Sequence, residues 1–185
     1  MSSIEIRRKN QLNLFREKAK YHDYDEAPLL KEDVDPQLHA SLNTVDQPFY
    51  LICEKDTVLA AVSGSAKVVF RDSSIRYFEL GPGDHVYVPG GIPHRIECSQ
   101  ESLHLRYKAR VSGLEAIAWF CESCGNEVDR YTWDNAKQSP QAGYRIGSNR
   151  FNADASRRVC SHCGVAHAPL DLTRFRWDQF PDISA

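Results

Sequence analysis

Long hydrophobic runs are missing from this chain. No apolar stretch approaches the roughly 20 residues that a membrane-crossing helix needs. The first twenty residues carry Arg7, Arg8, Lys9, Arg16, Lys18 and Lys20 with no apolar segment behind them, which is unlike a secretory leader. Strong charge of either sign is missing too. The formal net charge is −2, so no positive field is available to hold a nucleic-acid backbone or an anionic membrane. There is no internal repeat and no low-complexity tract. With 42% hydrophobic residues the chain can bury a core, which excludes wholesale disorder. The expectation is a soluble cytoplasmic protein with neither nucleic acid nor membrane as partner.

Cysteine is present in quantity and in pattern. Cys53 and Cys98 stand alone, whereas Cys121-x-x-Cys124 and Cys160-x-x-Cys163 are paired, each pair followed by a glycine. A two-residue spacer lets two thiolates converge on one ion, and two such knuckles complete a tetrahedral site. The glycines, Gly125 and Gly164, permit the positive φ that a tight knuckle requires. Without an export signal, metal is preferred to disulfides. Zinc or iron fits these four sulfurs, and a site with four protein ligands is closed and therefore structural. His162 and His167 read as solvated loop residues.

Patterning divides the chain into three. Residues 1–45 read as an N-terminal amphipathic helix over 1–20, then an acidic, irregular arm. Residues 46–112 carry short β-rich runs: 49–53, 58–62, 66–70, 75–80, 85–88, 95–98 and 103–110. Turn clusters such as Ser63-Gly64-Ser65 and Gly81-Pro82-Gly83-Asp84 separate them, the rhythm of a sandwich or barrel. Residues 113–185 read as a metal-held module with an aromatic tail (Phe175, Trp177, Phe180) that must be covered. Within 119–168, six basic residues face five acidic ones, too even a balance for a phosphate-binding zinc ribbon.

Residues 83–94, Gly-Asp-His-Val-Tyr-Val-Pro-Gly-Gly-Ile-Pro-His, resemble the second cupin motif, with Gly83, Pro89, Gly91 and His94 in register. Together with Trp119-Phe120-Cys121-Glu122-Ser123-Cys124-Gly125 and Cys160-Ser161-His162-Cys163-Gly164, the pattern resembles the bacterial type of 3-hydroxyanthranilate 3,4-dioxygenase. That resemblance implies a mainly β fold: one cupin barrel (double-stranded β-helix, or jelly roll) with a small C-terminal rubredoxin-like metal module built on four cysteines. It also implies a homodimer, a mononuclear barrel iron on two histidines and a glutamate, and a small carboxylate-bearing aromatic substrate.

The iron ligands are not carried over. Taking Gly64 as the first motif's turn glycine places Thr57 at the glutamate position and Leu51 at one histidine position, leaving His94 alone. A single imidazole does not hold a divalent ion against water, so the barrel metal is expected to be absent. The resemblance places the two substrate-clamping arginines at Gln47 and Cys98, and the substrate-binding glutamate at Arg106. A rebuilt site using Cys53, Glu54, His39, His85 or His104 stays open as an alternative.

What remains are His94 as a proton carrier, Arg106 as a carboxylate clamp, Cys98 as a thiolate favoured by a neighbouring arginine, and Thr57 and Gln47 at the pocket wall. Each has a plainer reading. His94 can be a hydrogen-bonded remnant, and Cys98 a small buried apolar residue. Arg106 shares a strand face with Lys108 and Arg110, and three cations inside a small barrel would be costly. The expected function is a diverged cupin enzyme performing isomerisation, cyclisation, decarboxylation or dehydration on a small carboxylate. An active dioxygenase with a rebuilt ligand set and a non-catalytic metabolite-binding or assembly protein are the alternatives.

Overall fold

A computed structural model describes residues 11–180. The chain is mainly β. In order it forms the short helix α1 (Leu14–Glu17), strands β1 (Ala27–Pro28), β2 (Gln37–Asn43), β3 (Tyr50–Cys53), β4 (Thr57–Ser63), β5 (Ala66–Phe70), β6 (Tyr77–Leu80), β7 (His85–Val88), β8 (His94–Cys98), β9 (Ser102–Lys108), β10 (Leu114–Phe120) and β11 (Glu127–Asp134), then helix α2 (Pro140–Ala153). Two antiparallel sheets result, ordered β1-β2-β9-β4-β7 and β11-β10-β3-β8-β5-β6.

Period-two alternation sets which residues meet between the sheets. In β7, Val86 and Val88 are buried while His85 and Tyr87 are exposed. In the second sheet Leu51, Cys53, Val68 and Ile96 point into a core shared with Leu59, Ala61, Val86 and Val88 of the first. β9 alternates differently: Leu103 and Leu105 pack outward against Tyr21 and Ala40, which leaves His104, Arg106 and Lys108 inside, all buried. Gly64 turns at φ +77°, where a Cβ would run into the Glu101 and Ser102 backbone, so only glycine fits this crossing from β4 in the first sheet to β5 in the second.

The strand runs expected over 49–110 appear within one or two residues at most ends. The long N-terminal helix does not. α1 has one turn and a 3₁₀ turn follows at Lys18–Lys20; residues 1–10 of that expectation lie outside the described residues. The arm expected to be irregular contains β2, which pairs along its whole length with β9, from Gln37↔Lys108 to Asn43↔Ser102. β10, expected within the metal module, pairs with β3 from Glu115↔Cys53 to Ala118↔Tyr50. The sheets thus draw strands from all three segments into which the sequence was divided.

α2 starts at Ser139, whose hydroxyl accepts from the Ala142 amide at 3.2 Å, with Pro140 in the first turn, a favourable N-terminus. Gly143 lets the helix press on the Trp133 ring. Tyr144 then stacks edge-on to Trp133 and Trp177, with Phe49 5.0 Å away, and Phe175 lies 4.5 Å from Trp177. Phe175 and Trp177 of the aromatic tail are therefore covered by their own chain. Among the described residues no helix is long and apolar enough to cross a membrane.

Candidate metal centre and barrel interior

The four paired cysteines come together. The first knuckle is the turn between β10 and β11, and the second follows the 3₁₀ turn Ala155–Arg158. They are built alike. The Gly125 amide donates to the Cys121 carbonyl at 2.8 Å, and the Gly164 amide to that of Cys160 at 2.8 Å. Both glycines have positive φ, +78° and +74°. Cys121 Sγ lies 3.5 Å from Cys163 Sγ, and Cys124 Sγ 3.5 Å from Cys160 Sγ. All four sulfurs fall within 4.8 Å of one another. Tetrahedral metal–sulfur bonds of about 2.3 Å put sulfurs roughly 3.8 Å apart, so the quartet fits an ion. It is the only such donor cluster among the described residues. His162 is exposed and outside it.

The barrel interior is different in kind. His94 is fully buried. Its Nδ1 lies 3.0 Å from the Ile92 carbonyl and its Nε2 2.8 Å from Arg106 Nη1. The first contact requires a proton on Nδ1 and the second a lone pair on Nε2, so the ring is neutral. Burial first, then the Arg106 charge, lowers its pKa to about 3. The lone pair that would bind a metal is already accepting a hydrogen bond.

Arg106 Nη1 also reaches Thr57 Oγ1 at 3.4 Å, and its Nε donates to Glu26 Oε1 at 2.7 Å. Lys108 Nζ lies 2.9 Å from Glu26 Oε2 and 2.9 Å from Glu115 Oε1, as ion pairs without hydrogen-bond alignment. Burial alone would raise the Glu26 pKa. Lys108 and Arg106 outweigh it and hold the carboxyl well below the usual carboxylate range. Two cations and two anions thus neutralise one another in a buried interior. His39 and His104 are lowered to about 4, chiefly by burial. His104 Nδ1 pairs with Asn43 Nδ2 at 3.2 Å.

The acidic partner arrives on the arm. Tyr24 and Glu26 have φ of +52° and +42°, a region L residues seldom occupy. The Tyr24 amide donates to Asn43 Oδ1 at 2.9 Å, and the Glu26 amide to Ser41 Oγ at 2.8 Å. From α2, Gln141 Nε2 donates to the Asp25 and Glu26 carbonyls. Held this way, the arm lies inside the barrel mouth. The cavity between Tyr24, Glu26, His104 and Arg106 has about 10 Å³, room for about one water.

The residues expected to form a pocket are thus placed as follows. His94, Thr57 and Arg106 meet, in a packed interior. Leu51 is the Cα partner of His94 and offers no donor. Cys98 does not adjoin Arg106. Its sulfur lies 3.6 Å from the Tyr24 and Ser102 hydroxyls, and burial, with Asp46 and Asp23 nearby, raises its pKa despite those contacts. A raised thiol is the reverse of the activated nucleophile expected. Gln47 faces the β8 backbone, its Oε1 accepting from the Ile96 amide at 3.1 Å, and does not line the cavity. The iron implied by the resemblance does not fit. Its three positions hold Leu51, Thr57 and a His94 whose nitrogen is taken. Nor do His39, His104 or Cys53 rebuild it: they join no donor cluster with His94, and burial raises the Cys53 thiol to about 12. Sequence reasoning missed Glu26, Glu115 and Tyr24. The signal was the shared inward face of Arg106 and Lys108, which demanded buried anions.

No family model matches the chain, and no curated protein matches it. Solved structures do, at low identity. A cupin-2 domain containing protein from Shewanella frigidimarina is 15% identical, over 55% of this chain and 96% of the other, with a TM-score of 0.48. A hydroquinone 1,2-dioxygenase from Sphingomonas, solved with 4-hydroxybenzoate bound, is 14% identical over 58% and 79%, with a TM-score of 0.46. A protein from Neisseria meningitidis is 22% identical over 54% and 98%, with a TM-score of 0.43. The architecture is mainly β, two facing antiparallel sheets, with a four-cysteine cluster towards the C-terminus.

Proposed function

We propose that this chain is a non-catalytic, cupin-type binding protein, held by one structural metal on Cys121, Cys124, Cys160 and Cys163, whose barrel no longer serves as a reaction chamber. The observation that carries this is the Arg106 guanidinium, hydrogen-bonded to His94 and reaching Thr57. A fixed side-chain cation stands among the positions that the resemblance gives to a metal. Glu26 neutralises it, and the cavity beside Glu26 and Arg106, about 10 Å³, is too small for a substrate. A ring-cleaving or isomerising enzyme needs the opposite: an open site with reactive groups facing it. The metal would act as a cross-link between the two knuckles. Four thiolates leave no position for substrate, and a segment with little core of its own gains folding energy from such an ion.

The test is turnover. Protein supplied with ferrous iron is offered 3-hydroxyanthranilate and a panel of aminophenols while oxygen is followed. No uptake above the protein-free rate is expected. Sustained uptake that depends on iron and disappears in His94→Ala would overturn the proposal and return the protein to the dioxygenases.

A further inference from the structure

Outside the barrel, a second cavity of about 370 Å³ lies against the outer side of the second sheet, beside the first knuckle, and is lined by Tyr50, Arg71, Arg95, Phe120, Glu122 and His167 among others. Its size is that of a small-molecule site. The Arg71 guanidinium lies 5.3 Å from the Tyr50 ring centre and 5.4 Å from that of Phe120, and Arg95 5.1 Å from Tyr50. Arg95 spends Nε and Nη2 on Glu97. Apart from these ring contacts the Arg71 side chain has no hydrogen bond or ion pair among the described residues; its backbone amide donates to the Pro93 carbonyl at 2.9 Å. His167 Nε2, buried, likewise has no partner among them. Two carboxylates accompany the two guanidinium groups, Glu122 in the lining and Glu97 paired to Arg95, which leaves Arg71 as the guanidinium without an ion-pair partner among the described residues.

We propose that this cavity binds a small organic oxyanion carried on a flat aromatic body. The guanidinium fork of Arg71 and the free Nη1 of Arg95 match the geometry of a carboxylate or phosphate. Tyr50 and Phe120 orient the arginines from behind, and Trp119, stacked on Phe151 at 4.2 Å, adds an apolar aromatic wall for the ring. Unpaired donors of this kind at a partly enclosed aromatic site gain most from an anionic partner. The inference deepens the binding reading above by naming a ligand class. It uses no barrel residue, so the oxygen measurement and the one below fail independently.

The experiment is calorimetric titration, with tryptophan fluorescence in parallel, using benzoate, phenyl phosphate, inorganic phosphate and benzamide. Benzoate or phenyl phosphate is expected to saturate at one per chain, the better of the two identifying the oxyanion. Inorganic phosphate, lacking a ring, and benzamide, lacking the charge, should bind at least about tenfold more weakly. Arg71→Gln should weaken the preferred anion about tenfold or more while lowering the melting temperature only slightly, through its two ring contacts, because Arg71 holds no hydrogen-bond or ion-pair partner among the described residues; Arg95→Gln should weaken it as well. Absence of saturable binding by both aromatic anions, or affinity indifferent to both substitutions, would overturn the proposal.

Discussion

Arg106 Nη1 lies 2.8 Å from Nε2 of His94, and this contact determines what the barrel is able to do. A histidine that accepts from a buried guanidinium is neutral and unavailable as a ligand. The guanidinium, in turn, is buried only because Glu26 meets it at 2.7 Å.

Removing that carboxylate should be severe. Glu26→Gln leaves Arg106 facing a neutral group and Lys108 with Glu115 alone. Breaking a buried pair from one side costs on the order of 3–5 kcal/mol, to be read from urea unfolding. The double variant Glu26→Gln, Lys108→Met keeps one cation, Arg106, and one anion, Glu115, inside. It should recover part of the loss. Equal loss in both variants would show that charge balance is not what holds the interior.

Acid should unfold the protein earlier than carboxylate titration alone would. His94, His39 and His104 are held near 3, 4 and 4 against an ordinary 6.5. The unfolded chain therefore binds more protons than the native one between about pH 6.5 and those values, and stability falls as pH falls through that window. Glu26, depressed in the native state, adds a further loss below about pH 4, where the unfolded carboxyl takes up its proton. Melting temperatures at pH 7, 5.5 and 4.5 should decline steadily, and His104→Asn should flatten the decline. A melting temperature unchanged from pH 7 to pH 4.5 would contradict buried neutral imidazoles.

How much of this was legible in the sequence follows from the distance between partners. The knuckles and the motif ending in His94 are local, and their spacing alone placed them. The β-runs of 49–110 were local too, readable from alternation and turn glycines. Glu26 was not. It lies 80 residues before Arg106, in a segment whose acidity reads equally well as a solvated arm, and its inward turn depends on two residues at positive φ that no pattern announces. β2 was hidden for a related reason: His39, Ser41 and Asn43 are polar, yet they face inward because the interior itself is polar. Cys98 fell on the inward side as expected, but placing it beside Arg106 needed the sheet pairing, which puts Arg106 across from Leu59 and His39 instead.

α2 should tolerate no side chain at Gly143, where its backbone presses on Trp133. A Cβ at Gly143 would sit 2.5 Å from the Trp133 ring. Gly143→Ala gains helix propensity of about 1 kcal/mol, yet overpacking costs about 1–3 kcal/mol, so a net loss in thermal stability is expected, with near-ultraviolet circular dichroism altered by the shifted tryptophan. A stabilised variant would mean that the helix sits further out.

Cys121→Ser should release the metal and lower stability by a few kcal/mol, of the order expected when a structural ion is lost. The three remaining thiols should then react readily with a thiol reagent. Retained metal with unchanged melting would refute the centre.

The most direct measurement is the metal content of the purified protein, taken for the native chain, for Cys121→Ser and for His94→Ala. One zinc or iron per chain is expected, lost in Cys121→Ser and kept in His94→Ala. Two metals per chain, one of them disappearing with His94, would contradict a sealed barrel.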